Sequence, residues 1–373
     1  GVEGEGGCAM LVQDFLNQGG TLVELASKYA IKANRSVRQP SLVLLKYNQI
    51  ESPMAEPLVR ECRGLILDES DGWRVVSRSF DKFFNHGEGH AAAIDWSTAR
   101  VQKKEDGSLC VLYWHDGAWR VQTSGHPDAG GKVNDTSLTF SELFWKVFDL
   151  EGYSLPEFDH RHLCIAFELM TKHNRVVVQH AEPRLTLIGI RCRETGQEHP
   201  LSLLAHRYRS VQSFGLQSIE DIAATFSTME PLKQEGYVVV DVNFNRVKVK
   251  HPGYVAIHHL KDGHSTRRLV EIVQAGEVGE FLTYFPEWRS EFEEIQTGLS
   301  ALDSELCDTY ARLQNIPVQK DFALEAVKTR CSAALFAVRA GHVKTMREFL
   351  NSQQPDRIIK MLGLKNKEVV SDD

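Results

Sequence analysis

Residues 100–124 read RVQKKEDGSLCVLYWHDGAWRVQTS, and this stretch decides the fold. An apolar, β-branched and aromatic run from Ser108 to His115 meets Asp116-Gly117, and a second such run follows. Asp-Gly between two apolar runs predicts a β-hairpin, because both residues tolerate the left-handed backbone of a two-residue turn. Upstream, Arg100 to Lys103 predicts another strand. Lys104-Glu105-Asp106-Gly107-Ser108 then forms the short connection between them. A lysine, two carboxylates and a glycine in such a loop read equally as an ordinary surface turn or as a reactive site. The rest of the chain has to decide.

Working outward, the same pattern recurs. Residues 63–79, RGLILDESDGWRVVSRS, carry Asp71-Gly72 between apolar runs and predict a second hairpin. Further strands are expected at Leu163–Met170, Leu185–Cys192, Gly236–Val242 and Arg246–Lys250. Thr139–Leu150 places Phe140, Leu143, Phe144, Val147 and Phe148 at helical spacing, and Leu201–Ser210 is a second helical candidate. From Ser41 to Lys250 the chain is strand-rich. After Lys261 strand runs vanish, and RRLVEIVQ, FEEIQTGLSALDSELCDTYARLQ and FALEAVKTRCSAALFAVRAGHVKTMREFL show helical periodicity, the last ending or bending at Gly341. The expected class is α+β: an antiparallel-sheet domain over 1–260 and an all-helical domain over 261–373, with a boundary in KDGHS (261–265). The final KNKEVVSDD reads as a frayed end.

The 373 residues are 42% apolar and 25% charged, ordinary usage for two folded domains and unlike a disordered or fibrous chain. No apolar run approaches the roughly 18 residues of a membrane span. The opening GVEGEGGCA has neither the basic nor the apolar region of a secretory signal, and Met10 is the expected natural start. Seven cysteines form no CxxC pair, which speaks for a reducing compartment and against a structural zinc site. A net charge of −7 argues against a polyanion-binding surface spread over the whole molecule, though not against a local basic groove.

The chain carries candidate residues for such a groove, each of which taken alone reads as an ordinary solvated charge. In a strand of period two, Lys248 and Lys250 share one face while Val247 and Val249 share the other. Two adjacent ammonium groups repel unless a polyanion covers them or solvent screens them. Arg63 opens one strand, and Lys82-Phe83-Phe84-Asn85 closes a hairpin. Glu168 ends one apolar strand and Glu235 begins another. Together these supply a nucleophilic lysine, two separated carboxylates and four further cations. Phosphoryl or nucleotidyl transfer to lysine needs that set. The attacking amine must be neutral, which burial and neighbouring cations such as Lys248 and Lys250 favour. The developing charge needs cationic clamps and a divalent ion, for which Glu168 and Glu235 are natural hard ligands.

In order and spacing these segments resemble the lysyl-nucleotidyltransferase superfamily, and more closely the phage-type RNA ligase 1 family of ATP-dependent, tRNA-repairing enzymes. The similar stretches are ECRGLIL (61–67), DKFFN (81–85), KEDGSL (104–109), FELMTKHNRVVV (167–178), EGYVVV (235–240) and VKVKHPGYVAIH (247–258), with KDFALEA (320–326) in the tail. The resemblance implies Lys104 as the adenylylated nucleophile, with Glu105, Asp106 and Gly107 holding the adenosine. It implies that Glu168 and Glu235 contact ribose and metal water. Arg63, Lys82, Lys248 and Lys250 would hold the ATP phosphates, with Phe84 and, more loosely, Tyr47 in the same pocket. Tyr254, and Glu280 or Glu277, are the implied metal contacts from beyond that domain. Mg²⁺ is the implied ion, replaceable by Mn²⁺. The implied partners are RNA 5′-phosphate and 3′-hydroxyl ends, including nicked tRNA, handled by an intracellular monomer with no membrane association.

One departure is plain. Where the family carries lysine in a Lys-Gly-Ser context, this chain has Ser124-Gly125-His126, so that His126 or Lys132 is expected to substitute. Two other readings remain. A GTP-using capping guanylyltransferase or a DNA ligase shares the lysine motif, but such enzymes append a barrel where this tail reads helical. A non-catalytic RNA-binding protein would be expected to have lost some of Lys104, Glu168, Glu235, Lys248 and Lys250.

Overall fold

The computed structural model describes residues 10–49, 51–134, 136–178, 180–230, 233–255, 264–284, 286–365 and 368–369. The chain divides into two compact units, one of residues 1–47 and 57–251, the other of 48–56 and 252–373. The first is built on three sheets and the second on helices, an α+β composition with antiparallel pairing almost throughout.

Three layers share the hairpin quoted above. Asp116 (φ 48°) and Gly117 (φ 72°) both adopt the left-handed conformation, so Ser108–His115 turns tightly into Ala118–Thr123 with His115 opposite Ala118. Leu163–Met170 pairs on the other side of Ser108–His115, and Arg184–Cys192 and Glu198–His199 continue this five-stranded sheet. Both of its faces are apolar. Cys110 and Leu112 point to a core with Phe144, Val147 and Phe148 of the helix Phe140–Leu150. Val111 and Tyr113 point oppositely, to Leu42, Leu44, Ile66 and Val76 of a four-stranded meander, Lys32–Arg35, Leu42–Lys46, Arg63–Asp68 and Arg74–Ser77. This two-sided burial explains why Ser108–His115 reads as a continuous apolar run rather than an alternating one. Thr139 and Glu142 form a reciprocal capping box that fixes the start of Phe140–Leu150, contributing about 1 kcal/mol.

The third sheet carries the lysines. Its order is Ser213–Phe214, Arg100–Lys104, Gly236–Val240, Arg246–Lys250 and Phe84–Asn85. Val101, Val239 and Val247 are in register and bury against Ile222 of the helix Ile219–Thr225. The opposite face therefore carries Lys104, Lys248 and Lys250.

Several expectations are corrected. Leu201–Ser210 is not an α-helix: only Leu201–Leu203 makes a 3₁₀ turn. Leu187 N donates to Arg209 O and Val211 N donates to Leu187 O, so the segment's backbone is drawn onto the edge of Arg184–Cys192. Phe84–Asn85 does not close a hairpin; it runs parallel to Arg246–Lys250 in the third sheet. The second unit is not wholly helical, because His264–Ser265 pairs with Glu368–Val369 inside the stretch read as frayed. Its helices include Thr266–Gln274, Arg289–Leu313, Gln319–Ala326, Ser332–Arg339, Met346–Asn351 and Pro355–Leu362, around a core with Phe281, Phe292, Leu299 and Leu335. The segment read as one helix to Gly341 breaks earlier, after Ala326, where Thr329 N bonds back only three residues to Ala326 O. Among the described residues, no helix is long and apolar enough to cross a membrane.

Candidate active site

Lys104 ends the strand Arg100–Lys104 and stands directly opposite Gly236, which in turn stands opposite Lys250. The residue before that glycine is Glu235, and its Oε1 lies 2.6 Å from Lys104 Nζ. Gly236 is required here: a Cβ would fall 2.2 Å from Val249 O, and its φ of 150° disfavours other residues. The close approach of the two strands is what brings the glutamate to the lysine.

The loop after Lys104 is fixed from below. Asp106 is buried, and its Oδ2 accepts hydrogen bonds from Val177 N (2.8 Å) and Val178 N (2.6 Å). Gly107 N donates to Glu168 Oε1 at 3.1 Å, and a Cβ on Gly107 would lie 2.3 Å from Leu169 O. Asn174 closes the arrangement. Its side chain accepts from Thr171 N and donates to Leu169 O and to Ser108 Oγ. Asp106 thus anchors the loop to its neighbour rather than projecting from it. Glu105 is mostly buried beside Lys103 at 3.8 Å, and burial raises its carboxyl above the usual range.

Glu168 shares its strand face with Cys164 and Ala166, which belong to an apolar core. Burial pushes its carboxyl up to about 8; the Lys104 charge opposes this, and the Glu235 and Glu105 charges add to it. Two carboxylates flanking one lysine, Glu235 buried and Glu168 half-buried, suit a hard divalent cation, which binds oxygen ligands and often keeps waters and phosphate oxygens. Glu168 and Glu235 could hold such an ion. Among the described residues no group of three or more His, Cys, Asp or Glu has the geometry to hold a metal alone.

The cations converge on the same face. Burial, then the charges of Lys250, Lys82, Lys104 and Arg63, drives the Lys248 ammonium well below the ordinary lysine range. Lys82 is lowered to about 8 by burial; Glu88 opposes this, and Arg63 and Lys250 reinforce it. Lys82 Nζ sits 5.6 Å from the Tyr47 ring centroid and 5.3 Å from that of Phe84. Burial raises the Tyr47 hydroxyl, with Arg63 beside it acting the other way. Arg63 Nη1 is buried without a hydrogen-bond partner, a donor that an anion would satisfy. Lys82, Phe83 and Phe84 also wall an open cleft of about 510 Å³ with Arg60, His90 and Arg246; Lys104, Glu168 and Glu235 do not line it.

Sequence reading missed three residues here. Phe83 is ringed by three cations, Arg63 at 5.0 Å, Arg246 at 5.8 Å and Lys248 at 5.8 Å, while Phe84 faces Lys82 at 5.3 Å and Arg60 at 5.5 Å. Phe84 is 6% exposed, and its strand pairs with Val247. The second is Asn174, whose signal lay within the quoted HNRVVV. The third is Lys46. It pairs in register with Arg63, and its Nζ lies 3.5 Å from Ser124 Oγ, at the position where the family lysine is absent. Burial and then Arg63 lower its ammonium. His126 and Lys132 are both exposed. Tyr254 is buried in the second unit, Glu277 precedes the helix Val278–Tyr284 there, and the Glu280 side chain lies outside the described residues.

The chain is similar to a putative bifunctional polynucleotide kinase/RNA ligase of Autographa californica nuclear polyhedrosis virus, 30% identical over 75% of this chain and 42% of that protein. It therefore spans less than half the length of that relative. It is also similar to an RNA ligase of Rhodothermus phage RM378, 25% identical over 81% of this chain and 86% of that one. An archaeal ATP-dependent RNA ligase structure superposes with a TM-score of 0.49 at 16% identity, covering 77% of this chain and 82% of that one. The model of the phage RNA ligase 1 family, described as RNA ligase, matches residues 61–254. That range holds Arg63, Lys82, Lys104, Glu168, Glu235, Lys248 and Lys250, and the chain belongs to this family.

Proposed function

We propose that the chain is an ATP-dependent RNA ligase that joins 5′-phosphate and 3′-hydroxyl ends of RNA through lysyl-AMP and adenylylated RNA. The observation that carries this reading is the 2.6 Å contact between Lys104 and Glu235, on a face shared with Lys248 and Lys250 and flanked by Glu168. An ammonium cannot attack phosphorus, and Glu235, in contact with it, takes the proton that Lys104 must lose in this reading. The free amine then attacks the α-phosphate and pyrophosphate leaves. AMP passes to an RNA 5′-phosphate, and a 3′-hydroxyl displaces it.

Arg63, Lys82, Lys248 and Lys250 hold the phosphates, whose charge also answers the mutual repulsion of these cations. Lys46 supplies the cation that Ser124-Gly125-His126 does not. Tyr47 and Phe84 back this group, and Glu105 to Gly107 shape the adenosine side. Glu168 and Glu235 would hold Mg²⁺, or Mn²⁺ in its place, which when bound neutralises phosphate charge. Residues 1–260 perform the nucleotide chemistry, and residues 261–373 select the RNA, a nicked tRNA among the substrates this repair chemistry suits. The protein acts as a monomer away from membranes.

The test is incubation of the purified protein with α-phosphate-labelled ATP and, separately, GTP. Acid-labile label on the protein from ATP is expected. Labelling from GTP alone would instead assign the site to the capping class, and no labelling from either would assign the chain a non-catalytic role.

A further inference from the structure

The hairpin that begins beside the lysine loop carries a second feature at its other end. Trp114, Phe158, Asp159, Arg161, His162 and Arg193 line an open cleft of about 520 Å³. Phe158 is 70% exposed, so it adds little to any core. The Arg161 guanidinium lies 3.3 Å above the Phe158 ring and 5.4 Å from the Trp114 ring. Trp114 in turn packs edge-on against Trp119 at 5.8 Å. Arg193 Nη1 donates to Trp114 O, which fixes the guanidinium at the cleft wall, while its Nε is buried without a partner.

Charge in the cleft is unbalanced. Among the described residues neither Arg161 nor Arg193 makes an ion pair, and Asp159 is the single acidic residue in the lining. Arg161 Nε donates to Phe158 O, which holds the guanidinium over the ring. Flat aromatic faces interleaved with guanidinium groups that lack an ion-pair partner are the arrangement that receives stacked bases and phosphates together.

We infer that this cleft is a stacking platform for single-stranded RNA, separate from the nucleotide site; the inference rests on the RNA ligase reading for the identity of the polyanion. Trp114 and Ser108 lie on one strand, six positions apart, which places the platform about 20 Å from the lysine loop at roughly 3.3 Å per residue. A strand leaving the reacting end can lay a base on Phe158 or Trp114 while Arg161 and Arg193 meet its phosphates.

The test uses the full chain with Phe158→Ala and Arg161→Glu, singly and combined, and with Phe158→Trp. Affinity is read by fluorescence anisotropy of end-labelled single-stranded RNA of about 20 and about 4 nucleotides, spanning the range of known single-strand sites. The combined variant should lose about ten-fold in affinity for the longer RNA. Its slope of log affinity against log salt should fall by about one. Lysyl-AMP formation and affinity for the shorter RNA should be unchanged, and Phe158→Trp should bind as the parent does. Unchanged affinity of the combined variant for the longer RNA, in a protein that still joins RNA, overturns the platform alone. Unchanged RNA affinity with lost binding of a phosphoserine peptide would assign the cleft to a protein partner and likewise overturn it. A parent protein that joins no RNA, yet loses RNA affinity in the combined variant, overturns the ligase reading and leaves the platform standing.

Discussion

Lys104 and Glu235, remote in sequence, meet at 2.6 Å because Gly236 pairs directly with Lys104 across two antiparallel strands. In the proposed mechanism the contact would serve as a proton path and also as a restraint, since the amine would have to leave it to reach phosphorus. Lys104→Ala should abolish covalent labelling by ATP and all joining of 5′-phosphorylated RNA, with no loss of fold because its side chain is partly exposed. Glu235→Gln keeps the shape but not the base, and should slow lysyl-AMP formation by about 10²–10³-fold. Labelling that survives in Lys104→Ala would remove Lys104 from the mechanism.

Gly107 is, after Gly236, the second close-packed glycine of the site. An alanine there puts a Cβ 2.3 Å from Leu169 O and 2.8 Å from Met170 Cγ, so the loop must move and the Gly107–Glu168 hydrogen bond is lost. The expected cost is about 1–3 kcal/mol in chemical denaturation. Labelling by ATP should fall further than stability explains, because the loop follows Lys104 directly. A variant with parental stability and parental labelling would show that the loop tolerates displacement.

Lys82 sets a pH dependence. Its ammonium titrates at about 8 in the folded protein, so the positive charge is present below that pH and lost above it. If Lys82 holds phosphate, affinity for ATP should fall as pH rises through about 8. Lys82→Arg keeps its charge at all these pH values and should flatten the profile. Calorimetric titration of ATP from pH 7 to 9 checks this; the same slope in both proteins would place the titration elsewhere.

Lys46 offers a positional test. Lys46→Ala should lower lysyl-AMP formation about ten-fold or more by removing a phosphate contact. The exchange Lys46→Ser with Ser124→Lys returns a lysine to the same space from the bend that follows the strand Ala118–Thr123 of another sheet, since Nζ of one already lies 3.5 Å from Oγ of the other. Recovery in the double variant is expected. Equal activity of parent and Lys46→Ala would exclude the contact.

What could be read from the chain was whatever is local. Asp116-Gly117 announced its turn, the apolar runs announced most strands, and the spacing of Phe140, Leu143, Phe144, Val147 and Phe148 announced a helix. The lysine, its two glutamates and the paired cations were legible as types and as a family pattern. What resisted was set by pairing across the sheets. Lys46 gains meaning only from its register with Arg63, and Phe83 only from three cations on two other strands. Leu201–Ser210 has helical apolar spacing, yet an exposed strand edge captured its backbone instead.

The two strands on either side of Lys104 have opposite histories during synthesis. Ser108–His115 finds its hairpin partner across a two-residue turn, as soon as Thr123 has emerged. Arg100–Lys104 has neither edge covered until Ser213–Phe214 and Gly236–Val240 arrive, more than a hundred residues later. At roughly 5–20 residues per second this wait is on the order of ten seconds, with a bare, lysine-bearing strand on the nascent chain. The charges of Lys103 and Lys104 then act as gatekeepers against edge pairing with other chains. Lys104, proposed for nucleotide chemistry, would in that interval, together with Lys103, protect the unfinished protein from aggregation.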